Sequence, residues 1–190
     1  MSSIEKASAI ALAIGALGAP AGAAEEAHAT GVFEAVCRDA DGNELWRDTF
    51  RNTVLTAGKN AALDAFLAGS GYTAAWYMGL ISSVSYSAIA AGDTAGSHAG
   101  WLEAGATNAP TYSGSRKTTA WSAASAGSKA LSAGLTFTFT GSGTVKGCFL
   151  STIATVDNAT GTLYSAGLFS GGDQPVVSGN TLTVTYTASL

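Results

Sequence analysis

Two stretches in the C-terminal half alternate apolar residues with threonine for long enough to leave one structural solution. Leu135, Phe137 and Phe139 are interleaved with Thr136, Thr138 and Thr140, and Leu182, Val184 and Tyr186 with Thr181, Thr183, Thr185 and Thr187. A period of two puts one side-chain set on each face of an extended chain, whereas a helix would scatter the same residues around its axis. Each stretch is therefore a strand with an apolar face for a core and a threonine face for solvent, as in antiparallel sheets covered on one side.

The rest of the body fits this frame. Val32–Cys37 and Glu44–Phe50 flank Asp39-Ala40-Asp41-Gly42-Asn43, a hairpin turn in composition. Ala74–Ile81 reads as a buried strand with Trp76, Tyr77, Met78 and Leu80 giving bulk to both faces. Thr144–Ile153 and Thr162–Phe169 are two more strands, with turns at Asp157-Asn158 and Gly171-Gly172-Asp173, and Gly141–Gly147 is expected to be a hairpin. Thr56 caps a helix over about 57–68, with Leu63, Phe66 and Leu67 as its apolar face and Gly69 as its stop. Residues 83–115, broken by five glycines, carry little strand character and form a long loop. Roughly seven or eight strands and one helix predict a mainly β fold: an antiparallel β-sandwich or jelly-roll-like domain over 31–190. No repeat of fixed period is present.

Residues 1–30 are different in kind. Ser2 and Glu5 have capping-box spacing, and Ile10, Ile14 and Leu17 follow at i, i+4, i+7 among alanines, before Pro20 and Gly22 end the pattern. The segment reads as a short helical or extended arm that docks on a neighbouring subunit. The run from Ala7 to Ala19, with Ala-x-Ala-like sites near Ala21–Ala23, also fits a secretory leader, although Glu5 cancels Lys6 in its n-region. It is too short for a membrane span, which needs about 20 apolar residues.

Composition narrows the function. Only 12% of the chain is charged, about half the usual share, and Gly, Ala, Ser and Thr fill the difference. Such neutral surfaces repel neighbours little and suit a protein that is covered by partners. The net charge is −4 and the densest cation pair is Arg116–Lys117, so no phosphate-binding surface is expected. Cys37 and Cys148 are too few for a disulfide framework and read as free, half-buried thiols, with a bridge between them as the alternative.

No constellation passes as a reaction centre. Asp39–Asn43 lacks the spacing and the bidentate Glu of a calcium loop and needs the same residues as a turn. Asp93, His98 and Glu103 share the long loop with Ser97, but no nucleophile elbow surrounds that serine. Asp93 and Thr94 instead start a turn, and His98 and Trp101 pack the loop onto the domain. The Gly141–Gly147 run does not open a helix, which phosphate capture requires. Trp46, Trp76, Trp101 and Trp121 are spread singly and suit core or interface anchoring. No enzyme activity, cofactor or metal is expected.

The order of small motifs carries a resemblance. Gly31-Val-Phe33 precedes Asp41-Gly-Asn43-x-x-Trp46, then Asn52-Thr-Val54 and Gly58-x-Asn60-x-x-Leu63-Asp64. Tyr77-x-Gly79-Leu80, Ala91-Gly-Asp93-Thr94, Ser97-His98-Ala-Gly100-Trp101-x-Glu103 and Arg116 follow. Val145-x-Gly147-x-Phe149-Leu150, Gly161-Thr-Leu163-Tyr164, Phe169-x-Gly-Gly172 and Ser178-Gly179-x-Thr181-Leu182-x-Val184 complete the series. Together, over residues 31–190, they resemble a group of small structural proteins of tailed-bacteriophage virions. The resemblance implies a non-catalytic head decoration or cement protein on the capsid exterior, present in multiple copies or as a homo-oligomer. Its partners would be the major capsid protein or other virion subunits, with no nucleic acid and no membrane. The expected partner contacts are Ile4, Ile10, Ile14 and Leu17 in the arm and Asp93, His98 and Trp101 in the loop. A tail or head-fibre component touching the host surface, and a secreted carbohydrate-binding module, are the alternatives.

Overall fold

The computed structural model describes residues 29–67 and 75–189. Nearly all of the expected arm, with Ile4, Ile10, Ile14 and Leu17, lies outside these residues. Twelve strands and one helix follow in order: β1 (Thr30–Arg38), β2 (Glu44–Arg51), β3 (Thr53–Val54), α1 (Thr56–Leu67), β4 (Tyr77–Ser82), β5 (Glu103–Ala104), β6 (Lys117–Thr118), β7 (Ser128–Ala130), β8 (Leu135–Thr138), β9 (Gly143–Ser151), β10 (Leu163–Leu168), β11 (Gln174–Val176) and β12 (Thr181–Ser189).

They form two antiparallel sheets packed as a sandwich. In the first, β2, β1 and β12 lie side by side, and β7 and β8 share the far edge of β12 end to end. The nine residues of β1 pair with the nine of β12, from Thr30 opposite Ser189 to Arg38 opposite Thr181, so the first and last strands are neighbours. In the second sheet the order is β3, β10, β9, β4 and β5, with β11 continuing the line of β10 along β9 and β6 beside β5 on β4. Apart from β2, an unbroken edge strand of eight residues whose charged side chains discourage pairing, the outer strands are short pieces of two to four residues.

The alternation that predicted the strands also sets the core. Phe137, Leu182, Val184 and Tyr186 are fully buried between the sheets with Phe33, Ala35 and Cys37. Thr136 and Thr183 face outward and join their hydroxyls at 3.0 Å. Phe33 stacks on Phe50 at 5.1 Å and tilts against Tyr186 at 4.5 Å, tying β1, β2 and β12 at their apolar faces. From the second sheet, Met78, Leu80, Val145, Cys148 and Leu150 meet this layer. That sheet is covered on its other face too, where Leu55, Ile81, Trp101, Phe149, Leu163 and Ala166 form a second cluster. Burial on both faces explains the near-continuous apolar run in β4 and β9.

Three expectations are corrected. Gly141–Gly147 is not a hairpin: β8 pairs β12 in the first sheet and β9 belongs to the second, so the glycines carry the chain across the sandwich. The thiols are more buried than half, both at 0% exposure, and both are free. The third concerns α1, whose bounds match the expectation to within a residue. Two residues of its expected apolar face are turned out, Leu63 at 55% and Leu67 at 74% exposure, while the side chain of the third, Phe66, lies outside what the structure describes. The inward side is small instead: Gly58 is buried, and Ala57, Ala61 and Ala65 are half-buried. A Cβ at position 58 would fall on the Tyr164 carbonyl oxygen, so backbone contact with β10 decides which side of the helix faces in.

Two outcomes test these placements. Gly58→Ala, although alanine is the better helix former, is expected to lower the unfolding free energy by about 1–3 kcal/mol in chemical denaturation, because the methyl group must displace backbone. Burial pushes the Cys37 thiol up to about 11, with the Arg38 backbone opposing weakly, and raises that of Cys148 as well. Since the thiolate is the reactive form, neither cysteine should react with a disulfide reagent at pH 8 until denaturant is added. Both should react then.

Candidate functional site

The long loop is closed upon itself and then pinned to the second sheet. Gly100 accepts backbone hydrogen bonds from Ser87 and Ala88, and a Cβ at Gly100 would strike the Ala88 carbonyl. Ala91 accepts from the Thr56 amide, linking the loop to the start of α1. Inside this closure Asp93 makes the turn expected of it, accepting the Ala90 amide at 2.9 Å while its own amide donates to the Ala90 carbonyl. The same carboxylate oxygen accepts the Trp101 indole N–H at 2.9 Å. Trp101 is 1% exposed and packs on Phe149 at 5.2 Å. His98 stacks on the same indole at 4.1 Å and donates from Nδ1 to the Trp101 carbonyl, which can only accept.

Beyond Trp101 the chain enters β5 with Glu103, whose partner lies thirteen residues on. Arg116 Nε donates to Glu103 Oε1 at 2.8 Å and Nη2 to Oε2 at 2.7 Å, a bidentate pair with 5% and 3% side-chain exposure. Arg116 Nη1 donates further to Ser151 Oγ at 3.2 Å and to the Ile153 carbonyl at 3.0 Å. Glu103 Oε2 also accepts the Asp157 amide at 2.7 Å. The guanidinium lies 5.1 Å from the Phe149 ring centroid. Gly79 makes room beneath, since a Cβ there would meet the Phe149 ring and Glu103 Oε1. Nearby, Lys117 sits 5.6 Å from both the Tyr112 and Phe137 ring centroids and donates to the Ser113 carbonyl, and desolvation holds its ammonium below the usual lysine range.

Above the pair opens a cleft of about 390 Å³. Ser97, His98, Asn108, Asp157 and Asn158 supply its polar groups, and Ala95, Ala99, Leu102 and Ala159 its apolar ones. Asp157 is held in the left-handed region at φ 57° and accepts the Thr107 amide at 3.1 Å.

Asp93, His98 and Trp101 are thus brought into one contact chain, while Glu103 is drawn into another. His98 has a backbone carbonyl as its partner and neither carboxylate, so Asp93, His98 and Glu103 do not line up as a proton relay. A partner reaching this face would touch His98, Ser97 and Ala99; the Asp93 and Trp101 side chains are spent on the loop's own fold. The signal for the ion pair was present, because Glu103 is the only carboxylate and Arg116 the only lysine or arginine from Thr94 to Arg116. Nothing local pointed to Asp157 or Asn158 as neighbours of the loop. The Asp39–Asn43 segment is a turn, with Asp39 accepting the Asp41 and Asn43 amides and Gly42 at φ 88°. Among the described residues no group of three or more His, Cys, Asp or Glu is placed to hold a metal ion, and no helix is long and apolar enough to cross a membrane. No protein-family model matches the chain, and no curated protein matches it.

Arg116→Met leaves the Glu103 carboxylate buried beside an apolar group, and the expected loss is about 3–5 kcal/mol by chemical denaturation. The double variant Arg116→Met/Glu103→Leu should recover a large part of it. A double variant no better than the single one would mean that Arg116 acts through packing alone.

Proposed function

We propose that this chain is a structural component of a tailed-phage particle, a decoration or cement protein seated on the exterior of the head. The observation that carries the reading is the electrical neutrality of the long loop's surface. Residues 83–115 contain no lysine or arginine, and their two acidic residues, Asp93 and Glu103, are 8% and 4% exposed. What the loop offers to a neighbour is mainly serine, alanine, glycine and threonine, with Val84 and part of His98, on a backbone already fixed by internal hydrogen bonds. Such a surface is docked at little cost in desolvated charge or in ordering.

The ordered motif series over 31–190 supports the same reading, and the net charge of −4 suits an outer surface better than one against packaged DNA. Stable capsid clamps need interfaces of about 2,000 Å² or more. The loop together with the segment 1–30 offers a way to reach that area. A second reading, a tail or head-fibre component, is favoured by the cleft, whose Asn108, Asn158 and Asp157 rim suits a polar ligand such as a glycan.

Placing charge on the neutral surface tests the proposal. Ala99→Glu and Ala106→Glu, both at exposed positions, should leave the thermal melt unchanged and lower occupancy on purified heads roughly tenfold or more, as an unpaired charge at the interface requires. Removing residues 1–30 should weaken occupancy while the β domain stays folded. Full occupancy by the charged variants would overturn the loop's role, and a label imaged on the tail would overturn the head position in favour of the second reading.

A further inference from the structure

The outward face of α1 calls for an occupant. Leu63 and Leu67 stand one turn apart on the same side of the helix and are two of the five large hydrophobic residues left exposed among the described residues. Their exposure is built in, because Gly58 holds the opposite side of α1 against the β10 backbone. A helix cannot rotate to bury these leucines without driving a side chain into the Tyr164 carbonyl.

The chain itself carries a matching element. Ile10, Ile14 and Leu17 form an apolar stripe at helical spacing in a segment otherwise dominated by alanine and glycine. The place where this segment joins the domain is close to α1. The Asn52 amide donates to the Gly31 carbonyl at 3.0 Å, and only four residues after Asn52 the helix begins at Thr56. The start of β1 therefore lies within about 20 Å of the first turn of α1. From Leu17 to Thr30 there are thirteen residue steps, which span up to about 45 Å when extended. The helix is only about 18 Å long, so its whole outer face is within reach. A tether of this length keeps the stripe at an effective concentration near the millimolar range, above that of any second copy in dilute solution.

We propose that in the free protein the N-terminal segment folds back on its own chain, with Ile10, Ile14 and Leu17 covering Leu63 and Leu67 of α1. This inference stands apart from the particle reading and concerns the protein before it meets a partner. It gives the arm an intramolecular seat and explains how a helix can carry two bare leucines outward.

Hydrogen exchange read by mass spectrometry on the full chain, with its mass in solution measured by light scattering, tests the proposal. In the wild type, peptides from 4–17 should exchange roughly tenfold or more slowly than in Leu63→Ser/Leu67→Ser, with both proteins monomeric. Ile10→Ser/Ile14→Ser should lose the same protection and also speed exchange in α1, while the strands stay protected in every variant. The arm-side variant keeps the test decisive if the helix-side variant fails to fold. Unprotected 4–17 peptides in the wild type would overturn the proposal, as would protection indifferent to both substitutions. Protection that grows with protein concentration alongside a dimer mass would assign the face to a second copy instead.

Discussion

A guanidinium and a carboxylate removed together from water constrain everything around them. Arg116 and Glu103 can be buried only because each finds several partners. Those partners come from four places in the chain: the β5 edge, the end of β9, the residues just after it, and the turn at Asp157. The pair thereby fixes the return path of a region that contains almost no regular structure. It stabilises that path less by its own attraction, which desolvation largely offsets, than by excluding alternatives in which either charge would be left alone.

The second sheet makes such an arrangement possible. Its inner face is closed by the first sheet and its outer face by Leu55, Trp101 and their neighbours. Loop and helix thus take the place of a third layer. The Asp93–Trp101 bond and the His98 stack seat the loop on Phe149, and the same Phe149 ring lies under Arg116. Packing of the loop and satisfaction of the ion pair are therefore one structure. Gly79 is needed by both, because its missing side chain leaves room for the ring and the carboxylate.

Charge is distributed unevenly along the chain, and this bears on the proposed role. The β1–β2 hairpin carries Arg38, Asp39, Asp41, Glu44, Arg47, Asp48 and Arg51, several of them paired with one another in the open. The loop from 83 to 115 buries both of its charges and shows none. In the proposed role the hairpin would face water and the loop would meet a protein surface. A clamp on a particle needs both, and it needs the contact region to be rigid before docking, which the internal hydrogen bonds of the loop provide.

The period-two patterns of β8 and β12 were readable because the pleat alone determines which residues share a face. The span of α1 was readable because residues 57–67 hold no proline or β-branched residue and are mostly alanine, leucine and lysine. A helix this short is nonetheless stable only once packed. What could not be read was every feature set by a contact distant in sequence. Whether Gly141–Gly147 turns back or crosses to the other sheet depends on which strands lie beside β8 and β9, not on its glycines. The side of α1 that faces in depends on Tyr164 of β10, about a hundred residues away, where only a glycine fits. The Glu103–Arg116 pair was hinted at by the lack of other charges nearby, but Ser151, Ile153 and Asp157 join it only through the pairing of β4 with β9. Local stereochemistry thus determined the elements, and close packing between elements decided their facing, because burial is settled by what each residue meets and not by what precedes it.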